Sequence, residues 1–194
     1  MGAVAPQMPA LLSRCAFDLF AEHGFGKVNL DQIAARAGVT KGSLYWHYKN
    51  KKELILAACN HYYSQWFKCV HTELAKVVDP QARIRNTLGF SVRSCVVDRK
   101  NRVFTTGIFV LMQEDAEVKA SWMQFYSSVR EFYVGLVMAG VASGQMQTHD
   151  ARRAVELMLE AMEGIKLRAS FEPHIADPSE QLELVEGLWG ILNR

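Results

Sequence analysis

Apolar residues recur three and four positions apart through nearly the whole chain, and no stretch alternates apolar with polar side chains as a half-buried strand must. That pattern restricts the chain to helices packed on helices, so the expected fold class is all-α with about nine helices. Leu12, Ala16, Leu19 and Phe20 share one face of a first helix from about Ala10 to His23, stopped at Gly24. Asn29, with Gln32 at the capping-box position, opens a short helix that carries Ile33, Ala34 and Ala37 up to Gly38. Thr40 caps the next, which reaches about Tyr48. Asn50 and Glu53 cap a long fourth helix from Lys51 to about Lys76. Asp79-Pro80 opens a helix to about Asp98, the polar residues 98–102 predict a loop, and Val103 to Gln113 forms a shorter helix. A long helix follows from about Glu117 to Ser143, then one from about His149 to Ser170 and a last from Asp177 to Leu192.

Composition places limits on partners. No apolar run reaches the roughly 18 residues that span a bilayer. The start, MGAVAPQMPA, lacks the basic residues and apolar stretch of an export signal, so a cytoplasmic protein with no membrane partner is expected. Cys15, Cys59, Cys69 and Cys95 form no CxxC pair and read as reduced packing residues. The net charge of +2 hides an asymmetry. Residues 1–60 hold seven Lys/Arg against four acids, and the remaining 134 hold 15 against 16, so the positive charge is concentrated at the N-terminus.

Two short helices flanking Gly38-Val39-Thr40, preceded by a third, have the dimensions of a helix-turn-helix spanning about residues 29–48. A boundary follows: an N-terminal DNA-binding domain over residues 1–50 and a C-terminal domain over 51–194. In the second helix, Leu44 and Tyr48 lie four apart and can turn to the core, leaving Lys41, Gly42, Tyr45 and Trp46 outward. Gly42 permits close backbone approach, Thr40, Ser43, Tyr45 and His47 supply hydrogen-bonding groups, and Lys49 and Lys51 supply charge for phosphates.

The ordered run Leu19-Phe20, Gly24-Phe25, Ile33-Ala34 and Ala37-Gly38-Val39-Thr40-Lys41-Gly42-Ser43-Leu44-Tyr45-Trp46-His47-Tyr48-Lys49-Asn50-Lys51 resembles the tetracycline-repressor family. The resemblance implies that Lys41, Gly42, Tyr45 and Trp46 lie at bases and Asn29, Ser43, His47 and Lys51 at phosphates. It also implies a repressor that binds palindromic operator DNA as a homodimer and is released by a small-molecule effector. Two positions depart from the family pattern. Pro9 replaces a basic residue three before Leu12, and Asn29 replaces the usual Thr or Ser at the start of the second helix.

Beyond about residue 60 the resemblance is one of length and helix count. The middle helices are rich in large adaptable side chains, and Phe90, Phe104, Phe109, Met112, Trp122, Phe125, Tyr126, Met158 and Met162 are the candidate lining of a pocket for a largely apolar ligand, although the same residues also suit a plain core. Val155, Gly164, Leu182, Val185, Leu188, Trp189 and Leu192 form stripes on the last two helices that suit either a dimer interface or an internal core.

Cys59 with His61 and Cys69 with His71 lie two apart, which on a helix points them about 200° from one another, so no metal is expected. No nucleophile elbow, phosphate loop or dinucleotide fingerprint is present, so neither a cofactor nor an enzymatic activity is expected. The alternatives to a ligand-released repressor, such as one of efflux or detoxification, are a ligand-responsive activator and a ligand-independent DNA-binding protein.

Overall fold

The structure, a computed structural model, describes residues 8–75 and 77–193. The MGAVAPQ start and Lys76, the expected end of the fourth helix, lie outside the described residues. Nine α-helices run through these residues: α1 (Met8–His23), α2 (Leu30–Ala37), α3 (Lys41–His47), α4 (Lys51–Leu74), α5 (Pro80–Ser91), α6 (Arg99–Leu111), α7 (Ala116–Ala142), α8 (Ala151–Arg168) and α9 (Gln181–Leu192). None of them is long and apolar enough to cross a membrane.

Packing divides the chain into two compact units, the first made of residues up to 65 with 103–122, the second of 66–102 with 123 onward. The first unit extends past residue 50, because residues 51–65 and 103–122 belong to it, and α4, α6 and α7 each contribute to both units.

In the first unit the apolar stripe of α1, Leu12, Ala16, Leu19 and Phe20, is buried with Ile33 and Ala34 of α2, Leu44 of α3, and Leu54 and Ala58 of α4. Phe25, in a 3-10 turn (Phe25–Lys27), lies with its ring 4.8 Å from Phe20 and 5.3 Å from Phe104 of α6. Gly107 of α6 allows this approach, since a Cβ there would sit 2.7 Å from the Phe25 ring. Lys52 closes the same unit on the outside, its ammonium 2.7 Å from Glu117 and 3.6 Å from Asp115. Hydrogen bonding to Glu117 holds that ammonium above its ordinary pKa, and the backbone N–H of Val118, then that of Glu117, holds the Asp115 carboxyl below its own.

The second unit is built on α5, α7, α8 and α9, with Ile84, Leu88, Val137, Val155, Met158 and Leu192 fully buried. Tyr133 is buried with its hydroxyl 2.8 Å from that of Ser91, which satisfies both groups. Arg85 lies over the Trp189 ring at 4.5 Å and pairs with Glu186.

Three boundaries differ from expectation. Residues 98–102 are not a loop. The Asp98 carboxylate accepts the Asn101 N–H at 3.0 Å, and a helix starts at Arg99. Polar composition alone does not separate a loop from an exposed, capped first turn. The helix opened by Pro80 leaves α geometry at Val92 and continues as a π-helix to Val97. Pro178 opens a short 3-10 turn ahead of α9 rather than α9 itself.

The apolar stripes of α8 and α9 divide between the inside and the outside of the chain. Val155 and Leu192 are fully buried, Leu188 is 1% exposed and Trp189 8%, all within the single chain. These four lie in the chain's own core. Val185 is half-buried, whereas Gly164 and Leu182 are exposed.

Candidate nucleic-acid interface

The turn between α2 and α3 is set by three local devices. Asn29 and Gln32 exchange hydrogen bonds of 2.8 and 2.9 Å in a complete capping box. Gly38 ends α2 at φ 68, a left-handed conformation that favours glycine, with its N–H bonded to Ala34 and Ala35 carbonyls. Thr40 then accepts the Ser43 N–H at 3.2 Å and starts α3. Asn50 accepts the Glu53 N–H at 3.0 Å ahead of α4, and Glu53 reaches back to the Lys49 N–H at 2.8 Å, one residue earlier than a standard capping box.

The core side of α3 is fixed by Leu44, which is fully buried, and by Tyr48 just beyond it, whose hydroxyl donates to the Pro9 carbonyl at 3.3 Å. At Pro9, where the family pattern has a basic residue, the contact is made by the main-chain carbonyl. Burial raises the Tyr48 phenol above its ordinary pKa.

The outer face of α3 carries the predicted readers. Trp46 is 82% exposed and Tyr45 49%. Gly42 and Lys41 are also exposed, and His47 is half-buried with its ring edge-on to Trp46 at 4.7 Å. Lys49, Asn29 and Thr40 are exposed, and Ser43 and Lys51 half-buried.

A groove of about 490 Å³ runs between the α2 start and α3, lined by Gly26, Lys27, Val28, Asn29, Leu30, Asp31, Tyr45 and Lys51. It brings together three predicted contact residues, Asn29, Tyr45 and Lys51. Lys27 and Asp31 were missed as members of the site, because no cap or periodicity marks them. Asp31 pairs with Lys41 at 2.5 Å, and its hydrogen bond and charge hold the Lys41 ammonium above its ordinary pKa. Beside this face, Arg36 and Glu22 pair at 2.8 Å and tie α2 to α1.

The aromatic residues and methionines expected to line a pocket fall into separate groups. Phe104, Phe109, Met112 and Trp122 belong to the first unit, where Phe104 is wedged against Phe17 at 4.8 Å and Phe109 against Trp122 at 5.4 Å. Phe90, Phe125, Tyr126, Met158 and Met162 belong to the second. There Trp66 of α4 stands 5.7 Å from Phe90 and 6.1 Å from both Phe125 and Phe132. Nothing along the sequence marks Trp66 as part of this group, since α4 reads there only as a long connecting helix. Burial pushes the Tyr126 phenol up, with Glu163 adding to the shift.

A capped, two-helix turn that buries Leu44 and presents an exposed Lys-Gly-Tyr-Trp face defines a helix-turn-helix DNA-binding protein. Residues 14–58 match the bacterial regulatory proteins of the tetR family. The chain is 27% identical over 183 residues to the HTH-type transcriptional regulator TtgR of Pseudomonas putida, covering 89% of this chain and 85% of that protein. Over 43 residues it is 46% identical to a probable acrEF/envCD operon repressor of Escherichia coli, 22% of this chain and 20% of that one. A TetR transcription regulator from Haloarcula marismortui shares the fold with a TM-score of 0.83, 16% identity and coverage of 95% of both chains. The chain is thus similar to tetR-type transcriptional regulators, closely over the helix-turn-helix and more distantly over most of its length.

Proposed function

We propose that this regulator is a cytoplasmic repressor that binds a palindromic operator as a homodimer and leaves it when a small, largely apolar molecule binds its C-terminal region. The functional division is residues 1–50 for DNA and 51–194 for effector and partner. The observation that carries the reading is the outer face of α3. Two large aromatics, Tyr45 and Trp46, are held in water beside Lys41, and Asp31 is the sole acid from Gly24 to Lys52. Exposing such side chains is unfavourable for a surface that binds nothing. Lys41, Gly42, Tyr45 and Trp46 meet bases, and Asn29, Thr40, Ser43, His47, Lys49 and Lys51 meet phosphates or fix the helix that does.

Repression is supported by the Escherichia coli relative, a probable operon repressor. An apolar effector is supported by the Trp66, Phe90, Phe125 and Phe132 ring cluster of the second unit. Dimerisation is supported by the apolar residues left outside once α8 and α9 have filled their core: Leu157, Leu167, Phe171 and Leu182 are 37%, 54%, 66% and 70% exposed. Gly164 lies among them on α8. A symmetric dimer matches a palindromic site, with reader helices about 34–36 Å apart.

Helix α4 supplies the link to induction. Its 24 residues, about 36 Å at 1.5 Å per residue, form one unbroken helix from Lys51 into the second unit. A tilt at the far end displaces Lys51. A hundredfold loss of DNA affinity requires about 2.7 kcal/mol of coupling, and operator DNA must weaken effector binding by the same factor. The experiment selects a binding site from random duplex DNA, identifies copurifying small molecules by mass spectrometry, and titrates them calorimetrically with and without that site. Weaker effector binding in the presence of the site is expected. Equal affinities, or a monomer that binds a half-site as tightly as the full one, overturn the proposal.

A further inference from the structure

Every charged side chain from Gly24 to Lys52 is basic except Asp31. The position has an ordinary structural use, because a carboxylate in the first turn of α2 interacts favourably with the helix dipole. Its observed geometry goes further. The carboxylate crosses to the next helix and meets the Lys41 ammonium at 2.5 Å, with the two side chains 51% and 66% exposed. An exposed pair of this kind contributes little to folding. An anion lining a groove that also contains Lys27, Asn29, Tyr45 and Lys51 opposes the approach of a polyanion of any sequence.

The chemistry of lysine accounts for such an acid. A lysine ammonium is a compact charge on a flexible four-carbon stem, able to reach a phosphate as readily as a base edge. A lysine free to swing grips all DNA. A lysine tethered at the first residue of α3 presents its donors in one place, where base-edge acceptors such as guanine O6 and N7 distinguish one sequence from another.

We propose that Asp31 is a positioning residue for sequence discrimination: it holds the Lys41 ammonium at the start of α3, toward base edges and away from phosphates, and lowers affinity for non-cognate DNA. The proposal rests on the reading of α3 as the reader helix. It assigns Asp31 a role that neither its place in the first turn of α2 nor its charge alone would give it.

The test compares wild type with Asp31→Asn, which keeps the size of the side chain, in both the native and the Lys41→Ala backgrounds. Affinity is measured for the selected site and for a scrambled duplex of equal length across a salt series, and thermal stability is measured alongside. Asp31→Asn should raise affinity for the scrambled duplex, on the order of eightfold at 0.1 M salt, and steepen its salt dependence by about one unit of slope, the signature of one added phosphate contact. The ratio of cognate to scrambled affinity should fall about tenfold, and the effect should vanish when Lys41 is alanine.

Equal losses on both duplexes with a lower melting temperature would mean that the pair only braces α2 against α3. A change that persists in the Lys41→Ala background would likewise overturn the proposal. Wild-type selectivity that survives Asp31→Asn unchanged sinks this proposal alone, whereas a wild type that selects no sequence removes the reader-helix assignment together with it.

Discussion

Two glycine-to-alanine substitutions in this chain should have opposite signs. In a helix interior alanine is favoured over glycine by about 1 kcal/mol, because glycine loses more backbone freedom on folding. At Gly135, exposed on α7, an added Cβ meets nothing within 4 Å, so Gly135→Ala should stabilise the protein by about 0.5–1 kcal/mol. At Gly107 of α6 the same methyl would lie 2.7 and 2.8 Å from two carbons of the Phe25 ring, inside any real contact distance. That ring cannot retreat easily, since it is 8% exposed and held by Phe20 at 4.8 Å and Phe104 at 5.3 Å. Overpacking a site of this kind costs about 1–3 kcal/mol. Set against the helix-propensity gain of about 1 kcal/mol, the expected net loss is up to about 2 kcal/mol, or a fall of up to roughly 4–8 °C in melting temperature for a chain of this size. Urea and thermal unfolding of the two variants side by side supply the measurement. If Gly107→Ala proves as stabilising as Gly135→Ala, the close packing of α6 on Phe25 is wrong, and with it the grouping of α6 with the DNA-reading helices.

Other outcomes follow from individual side chains. Lys51→Ala should weaken binding to all duplexes alike and flatten the salt dependence by about one unit, whereas Tyr45→Ala should change which bases are preferred by about 1–3 kcal/mol; equal losses from both on cognate and random DNA would refute these roles. The Asp79 carboxyl is held below the usual carboxylate range by the backbone N–H of Ala82 and then by the Gln145 side chain. Its contribution to stability is therefore present above the ordinary aspartate pKa and lost as pH falls through the lower folded value. Asp79→Asn should remove part of the loss of melting temperature on acidification, and an unchanged acid limb would show that the carboxylate's ionisation is not linked to folding.

Much of the DNA-reading half was legible in the sequence, because its determinants are local. The Asn29-Gln32 capping box, the glycine at φ 68 and the Thr40 cap each act within four residues, so the order of residues is enough to define them. The outward direction of Tyr45 and Trp46 then follows from helical geometry once Leu44 is buried. The same locality misleads at residues 98–102, where a polar run with the composition of a loop is the exposed first turn of α6, started by the Asp98 cap.

What the sequence could not decide is which of several equivalent apolar stripes meets which neighbour. A stripe on α8 or α9 satisfies the helical period whether it faces its own chain or a second copy. Only packing assigned Val155, Leu188, Trp189 and Leu192 inward and left Leu157, Leu167 and Leu182 outside. The Asp31–Lys41 and Phe25–Gly107 contacts were invisible for the same reason. They join residues 10 and 82 positions apart, and a pairing across that distance is fixed by the tertiary fold rather than by any pattern along the chain. Periodicity and caps determined the helices and the outer face of α3, while the close approaches between helices determined which residues fill the core and which stay at the surface.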